Sequence, residues 1–340
     1  MKRISFIVAI LCIASMGVFA SGTQEGSGDA STTKPVVMKI GHSLPENTSR
    51  HQSLVKFKEM VEERTNGAVL VELYPSSQLG SEMEMMEAVK MGSLEGLRCG
   101  PFEDAAPQLL IFTMPFLFSD MDAVHRVTRS TIADNIVKNT ERNGIKVLAV
   151  GDAGEFRQIT NNSRPITTPE DVKGLKIRTP PMESIVKIIE SLNGNPVSIP
   201  FNETYMALKT GVADGEENPY TNIEKMKFYE VQKYLSVVNY QYHAEMLYVP
   251  LDWFNSLDKN IQDILVECAK EHMIYSDELL KEESKASYEI LKANMEVNVL
   301  TPAQRQVFID RVQPVYKYYI DKGLFTQADI DEIRKTASGK

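Results

Sequence analysis

Short apolar runs alternate with amphipathic, helix-like segments along the first half of the chain. In chain order, the pattern predicts a strand at 36–40, a helix that ends at Arg64, a strand at 69–74, a helix at 82–91 and a strand at 93–99. Turn residues such as Asn66-Gly67 and Pro75 separate these segments. Strands that alternate with helices predict an α/β unit with a largely parallel sheet.

The alternation resumes after a long helix pattern at 122–143 and a predicted strand at 146–150. Residues 151–154, Gly-Asp-Ala-Gly, are predicted to be a crossover into a second unit. In that unit the predicted elements are a strand near 157–161, a strand at 174–178, a helix at 182–192, a strand at 196–199 and a helix at 203–211. The following DGEENPY, which contains Asp214, Glu216 and Glu217, matches no calcium loop and is predicted to be a solvated turn.

The last third of the chain is mainly helical. Two β-rich segments, 234–240 and 245–251, are predicted to return the chain to the first unit, and 259–295 is helical almost throughout. A helix of that length is expected to brace both units, and two more helices are predicted within 302–340. The predicted division is lobe I at 35–154 plus about 244–282, and lobe II at 155–243 plus about 283–340.

The N-terminus has the pattern of a secretory signal peptide. Lys2 and Arg3 precede an apolar run at 4–16, and small residues near Ala20 fit a cleavage site, so residues 1–20 are predicted to be removed. The apolar run is shorter than the about 20 residues that a membrane anchor requires. Residues 21–34 are rich in Ser, Gly and Thr and are predicted to be a flexible tether.

Charge and cysteine content narrow the possible partners. The net charge is −9, which argues against nucleic acid, because nucleic-acid binding needs a basic surface. An anionic ligand would therefore depend on a few local cations inside a screened cleft. Cys99 and Cys268 are the two cysteines outside the signal, and both are expected to be buried free thiols.

The strongest candidate for binding chemistry is Arg178, at the end of the segment GLKIR. Alternation directs Arg178 away from the apolar Ile177, and the Thr-Pro-Pro that follows ends the strand. Open α/β sheets bind ligands at the carboxyl edge of their strands, and a guanidinium there can clamp a carboxylate with two parallel hydrogen bonds. The alternative is a structural salt bridge, for example to Glu183.

Other candidates each have a structural alternative. Arg157 follows the predicted crossover and either faces the cleft or forms an ion pair between the lobes. Asn218 either donates to a ligand or stabilises its own turn before a proline. Phe201 either covers a ligand or belongs to the core, and Arg98 either binds the ligand or pairs with nearby Glu103 or Asp104.

Neither a metal site nor an enzyme motif is evident. The five histidines follow no metal-ligand spacing, although His42 and His243 lie at predicted strand ends and are candidates for ligand contact. The motifs G-x-S-x-G, G-x-x-x-x-G-K, C-x-x-C and H-E-x-x-H are absent. A binding protein without catalytic residues or a cofactor is therefore favoured.

Five segments, in this order and spacing, resemble the extracytoplasmic solute receptors of tripartite ATP-independent periplasmic (TRAP) transporters. The segments are YPSSQLG at 74–80, MPFLF at 114–118, FRQITN at 156–161, GLKIRTP at 174–180 and ALKTGVADGEENP at 207–219. The resemblance implies a two-lobed periplasmic binding protein fold that closes about a hinge, with a long helix that spans both lobes. It also implies a periplasmic location, a monomer and delivery of the ligand to integral-membrane transporter subunits.

The resemblance also implies roles for individual residues. Arg178 would bind the ligand carboxylate, Arg157 would assist, Asn218 would donate a hydrogen bond and Phe201 would border the pocket. Loops that contain His42, Glu82 and Arg98 would tune selectivity, and the expected ligand is a dicarboxylate or a sugar acid such as a hexuronate or aldonate.

Three alternatives of other kinds remain at this point. They are a receptor for an ATP-driven importer or a chemosensory system, a secreted hydrolase or lyase that uses an unmarked acid pair, and a structural surface protein.

Overall fold

The structure is a computed structural model that describes residues 34–339, so the predicted signal peptide and nearly all of the predicted tether lie outside it. Its strands are β1 (Val36–Gly41), β2 (Val69–Tyr74), β3 (Gly96–Cys99), β4 (Ile145–Asn161), β5 (Lys176–Thr179), β6 (Asn195–Ser198), β7 (Gly215–Asn218), β8 (Tyr234–Pro250) and β9 (Glu296–Val299). Short 3₁₀ helices lie at Pro107–Thr113, Lys138–Asn143, Pro169–Val172, Phe201–Glu203 and Phe228–Glu230.

The α-helices lie mainly between these strands and in the C-terminal part of the chain. They are α1 (Ser49–Arg64), α2 (Glu82–Lys90), α3 (Met121–Thr128), α4 (Thr131–Val137), α5 (Glu183–Ser191), α6 (Thr204–Lys209), α7 (Tyr220–Lys225), α8 (Leu251–Ser256), α9 (Lys259–Asn294), α10 (Pro302–Arg311), α11 (Gln313–Asp321) and α12 (Gln327–Ala337). No helix in residues 34–339 combines the length and the apolar character needed to cross a membrane.

All nine strands belong to one sheet, in the order β2-β1-β3-β8-β4-β7-β5-β6, with β9 beside β8. The strands at both ends pair in parallel, as the alternating pattern predicted, whereas β4 pairs antiparallel with both β8 and β7. The first half of β4 lies beside the second half of β8, which also pairs with β3. The second half of β4 continues to β7, so two 17-residue strands run through both halves of the sheet.

Residues 151–154, the predicted crossover, lie at a bulge within β4. The pairing with β8 shifts between Asp152 and Phe156, and Gly154 has a φ of +138°. A Cβ atom at Gly154 would lie 2.7 Å from the Cβ of Pro219, so the close approach also requires glycine. Because a bulge absorbs an extra residue without ending the pairing, the two predicted strands at 146–150 and 157–161 are halves of β4.

Three other predictions also differ from the structure. The predicted helix at 122–143 is divided into α3, α4 and a 3₁₀ helix, because the Ser130 hydroxyl accepts from the Ile132 amide and caps a new helix. The predicted strands at 234–240 and 245–251 are one strand, β8. The C-terminal region forms three helices rather than two, and the third begins at a capping box of Thr326 and Asp329.

The long helix α9 has 36 residues, as its apolar pattern predicted. Its first part packs against α1 and β4, where Phe57, Leu265 and Cys268 share one apolar cluster. Its last part packs against α7, near a second cluster that contains Phe228 and Leu291. The predicted buried free thiols are confirmed for both Cys99 and Cys268.

Candidate functional site

A cavity of about 310 Å³, including the part open to solvent, lies among strand ends from both halves of the sheet. Its lining residues are Ser43, Arg50, Glu82, Arg157, Arg178, Pro180, Phe201, Asn218, Asn222 and His243. The cavity therefore brings together six of the eight predicted site residues. A larger groove beside α4 and α12 contains Asp329 and Glu332 but no cation among its described lining residues, so it does not suit an anion.

Arg178 is a buried cation without a counter-ion in the described part of the chain. Its Nε donates to the carbonyl oxygen of Ile199 at 2.9 Å, while its Nη2 is buried and has no hydrogen-bond partner within residues 34–339. Burial lowers the pKa of Arg178 to about 10, and its guanidinium carbon lies 5.7 Å from the ring centre of Phe201. Glu183, the alternative partner, instead accepts from Lys322 at 2.9 Å and from Tyr318 at 2.7 Å.

Arg157 combines the two roles that the sequence left open, since it lines the cavity and also forms an ion pair. Its partner is Glu217 on the neighbouring strand β7, with Nη2 2.7 Å from Oε1. Burial opposes the charged form, but the interaction with Glu217 outweighs it and raises the pKa of Arg157. A second nitrogen of Arg157 contacts Nδ1 of His243. Burial of His243 and the nearby arginine lower the pKa of this histidine well below its usual value.

The predicted solvated turn around Glu216 is wrong, because residues 215–218 form the buried strand β7. Glu216 and Glu217 are both fully buried. Glu216 accepts from Thr160 at 2.7 Å and from Nδ2 of Asn218 at 2.6 Å. Asn218 therefore lies on a strand rather than in a turn, and its Oδ1 accepts from Asn222 at 3.1 Å. These carboxylates are buried because each has hydrogen-bond donors among its neighbours.

The opposite wall of the cavity contains an arginine that the sequence analysis missed. Arg50, on the first turn of α1, forms a buried ion pair with Glu245 and donates to Oγ of Ser43 at 3.1 Å. Ser43 donates in turn to Glu82 at 2.5 Å, and Glu82 keeps 18% of its side chain exposed. One available signal was the position of Arg50, because a cation is unfavourable at the positive end of a helix dipole.

Two predicted site residues, Arg98 and His42, do not line the cavity. Arg98 is fully buried, and its Nε donates to Glu245 at 2.7 Å, not to Glu103 or Asp104. The antiparallel pairing of β3 with β8 brings Glu245 to Arg98, and hydroxyl groups of Ser53 and Ser276 satisfy the other nitrogens. His42 lies with its Nε2 3.1 Å from Nδ1 of His51, and burial lowers its pKa well below the usual value.

A family model described as bacterial extracellular solute-binding protein, family 7, matches residues 40–322. The chain belongs to this family. The family 7 protein is therefore a receptor for a solute outside the cytoplasm and not an enzyme, which removes the hydrolase and lyase alternatives. Its two-lobed α/β fold is that of its structural neighbours.

Known relatives of this family 7 protein cover nearly all of the described chain. It is 32% identical over 290 residues to the C4-dicarboxylate-binding periplasmic protein DctP of Rhodobacter capsulatus, which covers 83% of this chain and 86% of the relative. A TRAP periplasmic solute-binding protein from Roseobacter denitrificans with bound β-D-glucuronate has a TM-score of 0.84 and 27% identity, covering 88% of this chain and 99% of the other. One from Shewanella oneidensis with bound succinate has a TM-score of 0.83 and 29% identity, covering 89% and 99%.

Proposed function

We propose that this receptor binds a small organic carboxylate on Arg178 and delivers it to the membrane subunits of a TRAP transporter. The observation that carries the proposal is the buried Nη2 of Arg178, which has no partner in the described chain. A buried cation of this kind is costly until an anion neutralises it, so the cavity is prepared for a carboxylate. Relatives that bind dicarboxylates or sugar acids support the same ligand chemistry.

The other side chains around the cavity suit hydroxyl groups better than a second carboxylate. Arg157 pairs with Glu217, while Arg50 pairs with Glu82 and with Glu245, which also pairs with Arg98. Glu82 presents a partly exposed carboxylate beside Ser43 on the wall that contains Arg50. The three arginines are balanced by three carboxylates, so they offer no free cation to a second ligand carboxylate, whereas a ligand hydroxyl group would donate to the partly exposed Glu82. We therefore favour a hydroxylated monocarboxylate, such as a hexuronate or aldonate, over a dicarboxylate.

The proposal includes closure of two lobes with the predicted bounds, 35–154 plus about 244–282 and 155–243 plus about 283–340. The bulge at Asp152–Phe156 in β4 supports a hinge there, because the ladder of hydrogen bonds is interrupted at that point. We also propose that the mature chain begins after cleavage near Ala20 and acts in the periplasm as a monomer.

The experiment is isothermal titration of the mature receptor, unfolded and refolded to remove bound metabolites, with D-glucuronate, D-galactonate, succinate and D-glucose. We expect a sugar acid to bind tightest, succinate more weakly and neutral D-glucose not at all. At about 100 Kd, the bound sugar acid would add about 2.7 kcal/mol to the free energy of unfolding. Binding of D-glucose as tight as that of D-glucuronate would contradict the role of Arg178, and preference for succinate would return the assignment to dicarboxylates.

A further inference from the structure

Thr160 lies between two buried oxygen acceptors. Its Oγ is 2.7 Å from Oε1 of Glu216 and 3.0 Å from Oε1 of Gln232. A hydroxyl group carries one hydrogen and donates one hydrogen bond. The Gln232 amide cannot be reversed without loss, because its Nε2 donates to the carbonyl oxygen of Val231 at 2.9 Å. One of the two contacts of Thr160 therefore needs a proton from another group.

Glu216 is the group that can supply this proton. When its carboxyl group is protonated, Oε1 donates to Thr160, and Thr160 donates to Gln232. The other oxygen, Oε2, still accepts from Nδ2 of Asn218 at 2.6 Å. Each donor in this series of hydrogen bonds then has one acceptor. When Glu216 is ionised, two acceptors compete for one hydroxyl hydrogen, and a buried oxygen is left without a hydrogen bond.

The surroundings of Glu216 also favour its neutral form. Burial is the main influence on this carboxyl group and raises its pKa to about 7. The charged groups that interact with it are Glu217 beside it on β7, Arg157 on β4 and Arg178 on β5. Tyr240 and His243 on β8 contact Glu217 and Arg157, and Asp214 precedes β7. Asp214 is paired with Lys176, while Tyr240 and His243 are neutral near pH 7 because burial shifts their pKa values away from it.

The net charge of the cluster formed by Arg157, Arg178, Glu216 and Glu217 depends on whether Glu216 is ionised. Arg157 and Arg178 contribute two positive charges, and Glu217 contributes one negative charge. Neutral Glu216 therefore leaves one net positive charge, which matches a single ligand carboxylate. Glu216 is the strand-register partner of Arg178, and its carboxylate, when ionised, would cancel this net positive charge.

We propose that Glu216 is protonated in the ligand-bound receptor, so that the receptor binds its carboxylate together with a proton. This inference rests on the proposed function, because it concerns the same cavity. Binding of the anion favours the neutral form of Glu216, and thermodynamic linkage then requires proton uptake wherever the empty receptor is partly ionised. The same linkage makes the affinity for the carboxylate fall as the pH rises above neutrality.

The first test is titration of the wild-type receptor with D-glucuronate near pH 6 and near pH 8.5. The protonated fraction of a carboxyl group with a pKa of about 7 falls about 30-fold between these two pH values, so Kd is expected to rise by up to about 30-fold. Titrations near pH 8 in phosphate and in Tris, which differ in ionisation enthalpy, measure proton uptake directly. Equal Kd values at both pH values together with no proton uptake would overturn the proposal.

The second test uses Glu216→Gln, since a glutamine amide donates to Thr160 as the protonated acid does and cannot ionise. We expect this variant to bind with the same Kd at both pH values, close to the wild-type value near pH 6. The matched control is Glu59→Gln at an exposed position of α1, which should keep the wild-type pH dependence. Glu216→Gln with wild-type pH dependence would also overturn the proposal.

The outcomes separate this inference from the function on which it rests. If Glu216→Gln does not fold, proton uptake by the wild-type receptor decides the question alone. If no sugar acid and no dicarboxylate binds near pH 6, the proposed function fails, and the inference about Glu216 fails with it. If binding near pH 6 is tight but independent of pH, the receptor function stands and only the role of Glu216 is refuted.

Discussion

Replacement of Arg178 by methionine should abolish most ligand binding and leave the fold stable. Loss of one partner of a buried, hydrogen-bonded charge pair costs about 2–5 kcal/mol, which corresponds to roughly 30-fold to several-thousand-fold in Kd. The stability of the empty receptor should be affected much less. In it Arg178 is already buried, with 1% exposure, and its Nη2 has no hydrogen-bond partner in the described chain. Methionine removes that desolvation cost along with one hydrogen bond to Ile199, so we expect the free energy of unfolding to change by less than about 1 kcal/mol.

A matched control is Arg98→Met, which changes another buried arginine outside the cavity. Arg98 donates to Glu245, Ser53 and Ser276, so its loss leaves buried acceptors without a donor. We expect this control to lower the free energy of unfolding by roughly 3–5 kcal/mol. Urea unfolding and titration with a sugar acid, carried out on both variants, measure the two effects separately. The reasoning is refuted if Arg178→Met keeps wild-type affinity, or if it loses as much stability as Arg98→Met.

Three further predictions concern charge and aromatic contacts. Glu217→Gln leaves Arg157 without its counter-ion, so the free energy of unfolding should fall by about 3 kcal/mol or more in urea, and no loss would contradict the ion pair. Burial and nearby Asp152 raise the pKa of Asp277 to about 7, so the folded state holds its proton more tightly. The stability that this group contributes should therefore be lost as the pH rises from about 4 to 7, so in a thermal melt series the wild type should lose stability relative to Asp277→Asn over this range, and a constant difference would contradict the assignment. Phe201→Leu removes the ring beside Arg178, the proposed ligand-binding arginine, and should weaken sugar-acid binding about 3- to 30-fold by titration, with unchanged Kd as the contrary result.

The elements predicted well from the sequence are those that depend on local patterns. β2 and α9 each have an apolar period that is continuous over the whole element, and their bounds were close to the observed ones. The bulge in β4 was not predicted, because a Gly-Asp-Ala-Gly segment resembles a loop until its partner strand is known. Pairing of Asp152 with Ala244 and of Phe156 with Tyr242 connects residues far apart in the chain, and sequence periodicity carries no information about it.

The same limit explains the outcome for the site. Arg178 was the strongest candidate because it ends a recognisable strand, whereas Arg157, which follows the predicted crossover, was left open between the cleft and an ion pair. Both line the cavity. The partner of Arg157 is 60 residues away, so the sequence could not distinguish a ligand residue from an ion pair. Arg98 was misassigned for a related reason, since the acid that neutralises it, Glu245, comes from β8 rather than from its own loop.

The continuity of β4 and β8 limits how this receptor can be engineered. The first half of β4 pairs with the second half of β8, which also pairs with β3, whereas the second half of β4 pairs with β7 and the first half of β8 pairs with β9. A transplanted half-molecule would therefore need junctions inside two hydrogen-bonded strands and within α9, rather than in exposed loops. Expression of either half alone would expose unpaired strand edges, which promote aggregation. New specificity is better introduced by substitutions on the cavity wall than by recombination of modules.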